Sequence, residues 1–401
     1  MTGHQPTLRW PDGFSASGNS LALAVSGGSD SMALLHLILL AQRDLKSCIA
    51  PCVLTVDHGL RPGSAAEAAQ VAAWCRALDL EHVTLRWLGA RPGSGLQAAA
   101  RRARYDLMSD FCAARGIDAL VTAHTADDQA ETVAMRLART DSPKSIAGIW
   151  PRMNWNGIPV LRPLLHARRV DLRDCLRDLG QPWIDDPSNE DLRFERVRVR
   201  KAMPREEVPR LSARAELARA AVMDLALKAD VAFAHHLGRN ALGYFSLGRN
   251  EARLMLADLL CEVLLRMLAL TGGGARPLRA QLRALVGDLR GPEPFRRTLA
   301  GSLIAARKDD VILCREAGRI SPEQVMPEEG RMLWDNRFHL TAPAGAVIRP
   351  IGQRNATRHH EAPAYVVAAL PSVEIPGQIP FFPHFTPVSG CAVTPNERFL
   401  P

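Results

Sequence analysis

Four short apolar runs, each followed by a helical stretch, constrain the fold of this 401-residue chain more than any other feature. They are LALAV (21–25), CVLTV (52–56), VTLRW (83–87) and ALVTA (119–123). Helical patterns begin between and after them, at Ser31, Ser64, Leu96 and Ala126. Strands that alternate with helices at this spacing indicate βαβ units and a parallel sheet covered on both faces. We therefore predict a doubly wound α/β fold, whose ligands bind beyond the carboxyl ends of the strands, where the chain order reverses.

The pattern changes near residue 190, where arginines crowd into DLRFERVRVRKAMPRE. A mostly helical region follows and includes the apolar segment 254–270. In that segment Asp258, Glu262 and Arg266 share one helical face, which indicates an amphipathic core helix and not a membrane span. Short apolar runs typical of strands return from about residue 297. We predict three domains: an α/β domain at 1–205, a helical domain at 206–292 and a small α+β domain at 293–401.

The charge and cysteine content narrow the class of protein. Lys and Arg number 50 against 42 Asp and Glu, and the net charge of +8 fits a polyanionic partner such as nucleic acid. None of the eight cysteines belongs to a C-x-x-C pair, so zinc ribbons and iron–sulfur knuckles fit poorly. The amino terminus lacks the apolar segment of a signal peptide. We expect a reduced, cytoplasmic protein with no membrane association.

A glycine-containing turn joins the first predicted strand directly to a helix, and its residues are Ser26, Gly27, Gly28, Ser29, Asp30 and Ser31. Two glycines allow close backbone approach, the hydroxyls add donors, and the new helix presents free N–H groups. This arrangement favours a pyrophosphate site, although the Walker A pattern is absent. Asp30 beside phosphates is consistent with a Mg²⁺ ion that the phosphates also bind. The alternative is an ordinary helix start with Ser and Asp caps.

Polar residues also follow the second and fourth predicted strands. Asp57 could accept a hydrogen bond from a ribose hydroxyl or an adenine amino group, although a simple turn explains it equally well. His124, Asp128 and Glu131 stand at i, i+4 and i+7, which places them on one face of a helix. Such a set suits Mg²⁺ binding, amine binding or proton transfer. A solvated helix start with acidic residues is the alternative.

Two basic stretches are candidates for phosphate binding. Arg101 and Arg104, at i and i+3, can face the same way on the third helix, and guanidinium groups suit phosphates. The second stretch includes Arg196, Arg198, Arg200 and Lys201. For both stretches, a solvated basic helix face is the alternative.

Taken together, these motifs resemble the tRNA(Ile)-lysidine synthetases, a family of the PP-loop ATP-pyrophosphatase group. The resemblance covers about residues 20–205. It rests on S-G-G-S-D-S (26–31), V-D-H-G-L-R (56–61), A-A-R-R-A-R-Y (99–105), T-A-H-T-A-D-D-Q-A-E-T (122–132), R-P-L-L (162–165), W-I-D-D-P-S-N (183–189) and F-E-R-V-R-V-R (194–200). Further along the chain, T-L-A-G-S-L-I (298–304) and W-D-N-R-F (334–338) are similar to parts of the family's carboxyl-terminal region.

The resemblance implies a catalytic domain of the adenine-nucleotide alpha-hydrolase type that uses ATP and Mg²⁺. The wobble cytidine of a tRNA(Ile) with a CAU anticodon would be adenylated at its 2-carbonyl oxygen. Free L-lysine would then displace AMP and leave lysidine, which changes the identity of the tRNA from Met to Ile. The helical domain would bind tRNA or link the other two domains. A homodimer is compatible with the resemblance.

The resemblance also implies roles for individual residues. The turn from Ser26 to Ser31 and Asp57 would bind ATP, and Asp30 would hold the metal ion. Catalytic roles fall to Asp30, Arg104, His124, Asp128 and Glu131. The span containing Arg196, Arg198, Arg200 and Lys201 would bind tRNA by neutralising phosphates.

One segment departs from the family pattern. Where the family has a turn of the R-G-S-G type, this chain reads Arg139-Thr140-Asp141-Ser142-Pro143-Lys144. Losing both glycines stiffens the loop and forbids some backbone angles. We therefore expect any close contact that this turn makes in the family to be altered here.

Two other classes of function remain as alternatives. A tRNA cytidine thiolase of the same group would need cysteine pairs, which this chain lacks. A non-catalytic RNA-binding protein would gain nothing from Asp30, Asp128 and Glu131 beside a phosphate path, because carboxylates repel RNA. The lysidine-forming ligase is therefore the preferred hypothesis.

Overall fold

The computed structural model describes residues 6–44, 51–60, 63–89, 92, 94–186, 190–235, 237–357, 362–385 and 388–396. Two motif segments lie outside these residues in part, because Arg61 and residues 187–189 are not described. The chain forms two compact units, Met1–Val222 and Met223–Pro401.

A six-stranded sheet forms the centre of the first unit. Its strands are β1 (Leu21–Ala24), β2 (Cys52–Asp57), β3 (His82–Arg86), β4 (Ala119–Val121), β5 (Arg152–Trp155) and β6 (Ile158–Leu161). The spatial order is β3-β2-β1-β4-β6-β5, and all neighbouring strands are parallel except β5 and β6, which form an antiparallel hairpin. The predicted α/β class and the four predicted strands are confirmed. The hairpin at the edge of the sheet was not predicted.

Helices cover both faces of this sheet, as predicted. The helices in this part of the chain are α1 (Ser29–Asp44), α2 (Ser64–Ala77), α3 (Leu96–Arg115), α4 (Ala126–Leu137), α5 (Pro143–Ile146), α6 (Arg169–Asp178), α7 (Glu195–Ala202) and α8 (Glu207–His235). On one face, α1, α2 and α6 pack their apolar residues against Leu21 and Leu23 of β1. On the other face, α3 packs Tyr105, Met108 and Cys112 against Ala22 of β1 and its neighbours. The apolar residues of β1 are therefore buried from both sides, as expected for a central parallel strand.

The chain order of the sheet reverses at β1, which lies between β2 and β4. Because parallel strands end at the same edge, the segments that follow β1 and β4 open into one crevice. The first half of α8 packs against α4 nearby, where Val208 contacts Ala126 and Ala130. The fold therefore places the glycine turn and the acidic residues of α4 side by side.

The second unit combines helices with antiparallel sheets. Its first part contains β7 (Leu237–Asn240), β8 (Tyr244–Gly248), α9 (Arg249–Leu254), α10 (Ala257–Thr271), α11 (Arg279–Arg290), β9 (Phe295–Leu299), β10 (Ser302–Ala306) and β11 (Asp310–Arg315). The five strands form a sheet in the order β7-β8-β11-β10-β9. As predicted for the apolar segment 254–270, α10 buries one face, including Val263, Leu264 and Met267.

Two small three-stranded sheets complete the second unit. Their elements are β12 (Gln324–Val325), β13 (Arg331–Trp334), β14 (Phe338–Thr341), β15 (Val347–Pro350), α12 (Gln353–Ala356), α13 (Ala364–Val367), β16 (Pro371–Glu374) and β17 (Ala392–Pro395). One sheet has the order β12-β15-β16 and the other β13-β14-β17. The helices and antiparallel sheets match the predicted helical region and α+β region.

The division into units differs from the predicted boundaries at residues 205 and 292. The boundary between the units falls within α8, after Val222. Strand β8 pairs with β11, so one sheet contains residues from both sides of position 292. The three-domain division (1–205, 206–292 and 293–401) stays a prediction. Within the described part of the chain, no helix is both long and apolar enough to cross a membrane.

Candidate active site

The glycine turn after β1 is closed by its own hydrogen bonds. The Ser31 hydroxyl accepts from the Ser26 amide at 3.2 Å and donates to the Gly28 carbonyl at 2.9 Å. The Met32 amide also donates to the Gly28 carbonyl, at 3.0 Å. These bonds fold residues 26–31 into a compact loop at the start of α1. The first amides of that helix have no acceptor one turn earlier, so this loop is suited to bind phosphate oxygens.

Gly27 lies where no side chain fits. Its φ is +85°, and a Cβ atom there would lie 2.7 Å from Ile184 Cδ1 and 2.9 Å from Val71 Cγ2. The Ile184 amide donates to the Gly27 carbonyl at 2.9 Å. The segment that contains Ile184 therefore supports the loop from behind, although it is distant in sequence.

Asp30 points from the loop toward α6. Its Oδ2 accepts from Arg169 Nε at 2.9 Å, while its Oδ1 has only a 3.3 Å bond from the Ser29 hydroxyl. Burial raises the pKa of Asp30, and the charge of Arg169 opposes this shift. The Oδ1 oxygen is the more weakly bound of the two and is therefore the better placed to bind a cation.

A capping box orients Asp128 at the start of α4. The Asp128 Oδ2 accepts from the Thr125 amide at 2.8 Å and from the Thr125 hydroxyl at 2.9 Å, and the Thr125 hydroxyl accepts from the Asp128 amide. This reciprocal pattern is typical of helix starts. The capping box does not involve the Asp128 Oδ1, which faces the crevice one turn before Glu131 and accepts from two arginines there.

Asp30, Asp128 and Glu131 form what we call the carboxylate cluster, and Arg169 contacts all three. In addition to Asp30, Arg169 Nη2 donates to Asp128 Oδ1 at 2.9 Å, and Arg169 Nη1 lies 3.5 Å from Glu131 Oε1. The side chain of Glu131 is 2% exposed. Arg169 was not among the predicted site residues, because it follows β6, a strand that was not predicted. The one available signal was its position at a helix start after R-P-L-L.

Two arginines of α7 complete the neutralisation of the cluster. Arg196 donates to Asp128 Oδ1 at 2.8 Å and to Glu131 Oε2 at 2.6 Å, and Arg200 Nε donates to Glu131 Oε1 at 2.6 Å. Burial acts to raise the pKa of Asp128, but Arg169 and Arg196 outweigh it and lower this pKa to about 2. Asp128 is therefore ionised throughout the neutral pH range.

The structure divides the four basic residues that were predicted to bind tRNA. Arg196 and Arg200 donate to the carboxylate cluster, and their side chains remain partly exposed. Arg198 and Lys201 are exposed. Arg198 donates to the carbonyls of Leu192 and Arg193, and Lys201 forms a surface ion pair with Glu190. The assignment of these four residues to tRNA binding stays a prediction.

His124 lies beside the cluster but outside the helix. We predicted that His124 shares a helical face with Asp128 and Glu131. Because Thr125 is the N-cap of α4, His124 instead precedes the helix. Its Nδ1 lies 3.0 Å from the Thr122 hydroxyl. Burial, together with nearby arginines that include Arg162, lowers the pKa of His124 to about 3 despite the charge of Asp128. His124 is therefore neutral near pH 7.

Arg104 and Asp57 line the same edge of the sheet. Arg104 is half-buried on α3, near enough to act electrostatically on His124 and His58, and its guanidinium lies 5.8 Å from the Tyr105 ring centre. The Asp57 Oδ1 accepts from the Gly59 amide at 2.9 Å, the contact expected of a simple turn. Hydrogen bonds from the Ser64 hydroxyl and the Gly59 amide lower the pKa of Asp57. A nucleotide-binding role for Asp57 stays a prediction.

The segment that departs from the R-G-S-G pattern adopts ordinary backbone angles. Ser142, with φ −60°, is the N-cap of α5, and its amide donates to the Thr140 hydroxyl at 3.1 Å. Two arginines hold the carbonyls that follow: Arg136 binds those of residues 145 and 148, and Arg219 binds those of residues 147 and 149. The missing glycines are therefore replaced by a short helix that the surrounding chain supports.

Mg²⁺ fits the loop only as a partner of the nucleotide. Among the described residues, no group of three or more His, Cys, Asp or Glu side chains is arranged to hold a metal ion. Asp30 Oδ1 offers one carboxylate oxygen beside the loop. A Mg²⁺ ion there would take its other ligands from phosphate oxygens and water, as it commonly does in nucleotide sites.

The fold and this crevice define a PP-loop protein that binds ATP. A family model described as a PP-loop domain matches residues 10–207. The chain belongs to the tRNA(Ile)-lysidine synthase family. It is 38% identical to the tRNA(Ile)-lysidine synthase of Mesorhizobium japonicum, over 94% of this chain and 88% of that protein. It is 37% identical to that of Ruegeria pomeroyi, over 80% and 77% of the two chains.

The chain is also similar to a third relative and to one solved structure. The chain is 36% identical to the tRNA(Ile)-lysidine synthase of Rhodopseudomonas palustris, over 73% of this chain and 90% of that protein. A solved structure, the U34-tRNA thiolase NcsA from Methanococcus maripaludis with its [4Fe-4S] cluster, aligns with a TM-score of 0.43 and 16% identity. That alignment covers 51% of this chain and 72% of the thiolase, and nothing further follows from it.

Proposed function

We propose that this chain ligates lysine to C2 of the wobble cytidine in the CAU anticodon of tRNA(Ile), converting ATP to AMP and diphosphate. One observation carries the proposal. The phosphate-binding loop after β1 and the carboxylate cluster meet at the switch point of the sheet, where Arg169 bonds to carboxylates from both α1 and α4. A nucleotide and an amine can therefore be held within one crevice.

In the first step, the 2-carbonyl oxygen of cytidine attacks the α-phosphorus of ATP and diphosphate leaves. The loop amides and hydroxyls of residues 26–31 hold the phosphates. Asp30 would bind Mg²⁺, which neutralises phosphate charge when present. Arg104 is near the crevice and free of ion pairs among the described residues, which suits it to the phosphate of the adenylated cytidine.

In the second step, the amine of lysine attacks C2 and AMP leaves. Asp128 and Glu131 attract the ammonium group of the incoming lysine, which must lose a proton before the attack. Neutral His124 can donate or accept a hydrogen bond beside them without repelling the ammonium. We assign His124 to positioning in this step.

Because of the charge balance at the carboxylate cluster, binding of a lysine ammonium requires that one arginine leave the cluster. Its three carboxylates already contact the three guanidiniums of Arg169, Arg196 and Arg200. An added ammonium would leave the site with excess positive charge unless one guanidinium withdraws. Arg196 is the most exposed of the three, at 38%, and α7 also bears Arg198 on its outer side. We infer that lysine displaces Arg196.

The remaining predictions concern the setting of the enzyme. We propose that Arg198 and Lys201 bind phosphates of the tRNA, since both are exposed on α7 near the crevice. We also propose a cytoplasmic location, because the tRNA substrate is found there. A homodimer stays a prediction, and the mass of the protein in solution would test it.

The function is tested by incubating the protein with ATP, Mg²⁺, labelled lysine and one of two transcripts. One is tRNA(Ile) with a CAU anticodon, and the other is elongator tRNA(Met), which shares that anticodon. Label on the first tRNA only is the expected result. Label on neither, with the wild-type protein folded and binding ATP, would overturn the proposal.

A further inference from the structure

The nucleotide loop lacks a cationic side chain of its own. Residues 26–31 contain serine, glycine and one aspartate, and the lysine of a Walker A loop is absent. Backbone amides and hydroxyls can bind phosphate oxygens, but they carry no net charge. The diphosphate that leaves gains negative charge in the reaction, so a fixed cation near its position would favour its departure.

Arg173 on α6 lies at this loop. Its Nε donates to the Ser29 hydroxyl at 3.2 Å, and Ser29 is itself a loop residue. Arg173 is one helical turn beyond Arg169, so both arginines face the start of α1 from the same side of α6. The guanidinium of Arg169 is bonded to the carboxylate cluster. Arg173 contacts the loop at Ser29, which is not part of that cluster.

Two neighbours position the Arg173 guanidinium without neutralising it fully. Its central carbon lies 5.9 Å from the ring centre of Trp183. Its Nη2 lies 3.5 Å from Asp185 Oδ1, and the Asp185 side chain is 76% exposed. An ion pair that is this long and this exposed contributes little. The guanidinium therefore keeps donors for a ligand while stacking limits its movement.

We propose that Arg173 binds the β- and γ-phosphates of ATP and stabilises the diphosphate leaving group. The planar guanidinium offers paired donors that match phosphate oxygens. This inference rests on the proposed function only in that the loop binds ATP. It assigns to α6 a cation that the loop does not contain.

The test compares three ligands on two variants of the full-length protein. Arg173→Ala should weaken the binding of Mg²⁺–ATP and of Mg²⁺–diphosphate by about 10-fold or more, and leave the binding of AMP unchanged. Arg173→Lys should restore part of the diphosphate affinity, since the charge returns without the paired donors. Calorimetry or competition against a fluorescent nucleotide gives the three dissociation constants.

The matched control is Arg177→Ala. Arg177 lies one turn further along α6, is also 5.9 Å from the Trp183 ring centre, and pairs with Asp174. Arg177→Ala should leave the affinities for Mg²⁺–ATP, Mg²⁺–diphosphate and AMP unchanged. Equal losses for ATP, diphosphate and AMP in Arg173→Ala, or equal effects of the two alanine variants, would overturn the inference. If wild-type protein bound no ATP, the proposed function would fail instead, and the two failures are distinguishable.

Discussion

At the scale of single residues, Gly27 shows how closely the nucleotide loop is packed. Gly27→Ala places a methyl group against Ile184 and Val71 in a backbone conformation that L residues rarely adopt. We expect a loss of about 1–3 kcal/mol in the free energy of unfolding, together with weaker ATP binding. Urea titration and nucleotide binding measure the two effects.

Gly28→Ala is the control for that substitution. At Gly28 the nearest atoms to an added Cβ are 3.7 and 3.9 Å away, and φ is not positive. The fold should therefore be retained, even if the methyl group hinders phosphate approach. Equal stability of the two variants would show that the contact with Ile184 is not a close one.

His124 gives a prediction about pH. Its pKa is lowered from 6.5 to about 3 by burial and by nearby arginines. Between these two pH values, the imidazole therefore stays neutral in the folded protein but takes up a proton in the unfolded chain. Stability due to this group is therefore complete above pH 6.5 and falls as the pH drops toward 3. His124→Asn should reduce the slope of unfolding free energy against pH by up to about 1.4 kcal/mol per pH unit in this window. Identical slopes in urea titrations at pH 4.5, 5.5 and 6.5 would contradict the prediction.

The residues of the site were predictable from sequence where they follow predicted strands. Asp30, Asp128 and Glu131 come after the first and fourth strands, and parallel strands end at one edge. Arg169 and Arg173 could not be found in this way, because they follow β6, whose four residues include a proline. Packing between distant segments, such as Ile184 against Gly27, leaves no local pattern.

At the scale of elements, α7 presents two different faces. Arg196 and Arg200 are four residues apart and face the carboxylate cluster, whereas Arg198, midway between them, faces outward. The sequence showed a basic helix but not which face was buried, since arginine occurs on both. The assignment of all four basic residues to tRNA therefore stays a prediction.

Arg196→Gln tests the exchange of partners at the cluster. It removes one guanidinium and leaves Arg169 and Arg200 in place, so we expect the KM for lysine to fall several-fold while tRNA affinity is unchanged. Steady-state kinetics with labelled lysine and filter binding of tRNA measure the two quantities. A rise in the KM for lysine would indicate that Arg196 only supports the fold.

Arg198→Gln is the matched control on the same helix. It removes the same charge from the outer face and should weaken tRNA binding without changing the KM for lysine. A change in the KM for lysine only with Arg196→Gln, and in tRNA affinity only with Arg198→Gln, would show that the two faces of α7 act on different substrates.

At the scale of the whole molecule, the protein has a net charge of +8. Only those positive side chains that lie on the surface facing the tRNA should contribute to tRNA binding. Arg198→Ala combined with Lys201→Ala should weaken tRNA binding and reduce the slope of log K against log salt by about 1 to 2, one unit for each lost phosphate contact. Arg76→Ala is the control, because Arg76 is in the last turn of α2 and hence at the opposite edge of the sheet. Equal slopes for the wild type and the double variant would remove α7 from the tRNA interface.

The arrangement of the second unit was the least predictable part of the molecule. The sequence indicated helices and then short strands, and both are present. It did not indicate that β8 would pair with β11, because the partners are separated by three helices and two other strands. Antiparallel pairing over such a distance depends on complementary surfaces and not on periodicity.

The dispersal of the site along the chain has a consequence for synthesis on the ribosome. The loop at residues 26–31 emerges early, but its backing at Ile184 and the counter-charges at Arg169, Arg196 and Arg200 emerge only after most of the first unit has been translated. A nascent chain that stops before α7 carries the buried acid Glu131 without two of its partners. The nucleotide pocket is therefore complete only after α7 has been synthesised, and a chain truncated before that helix lacks Arg196 and Arg200.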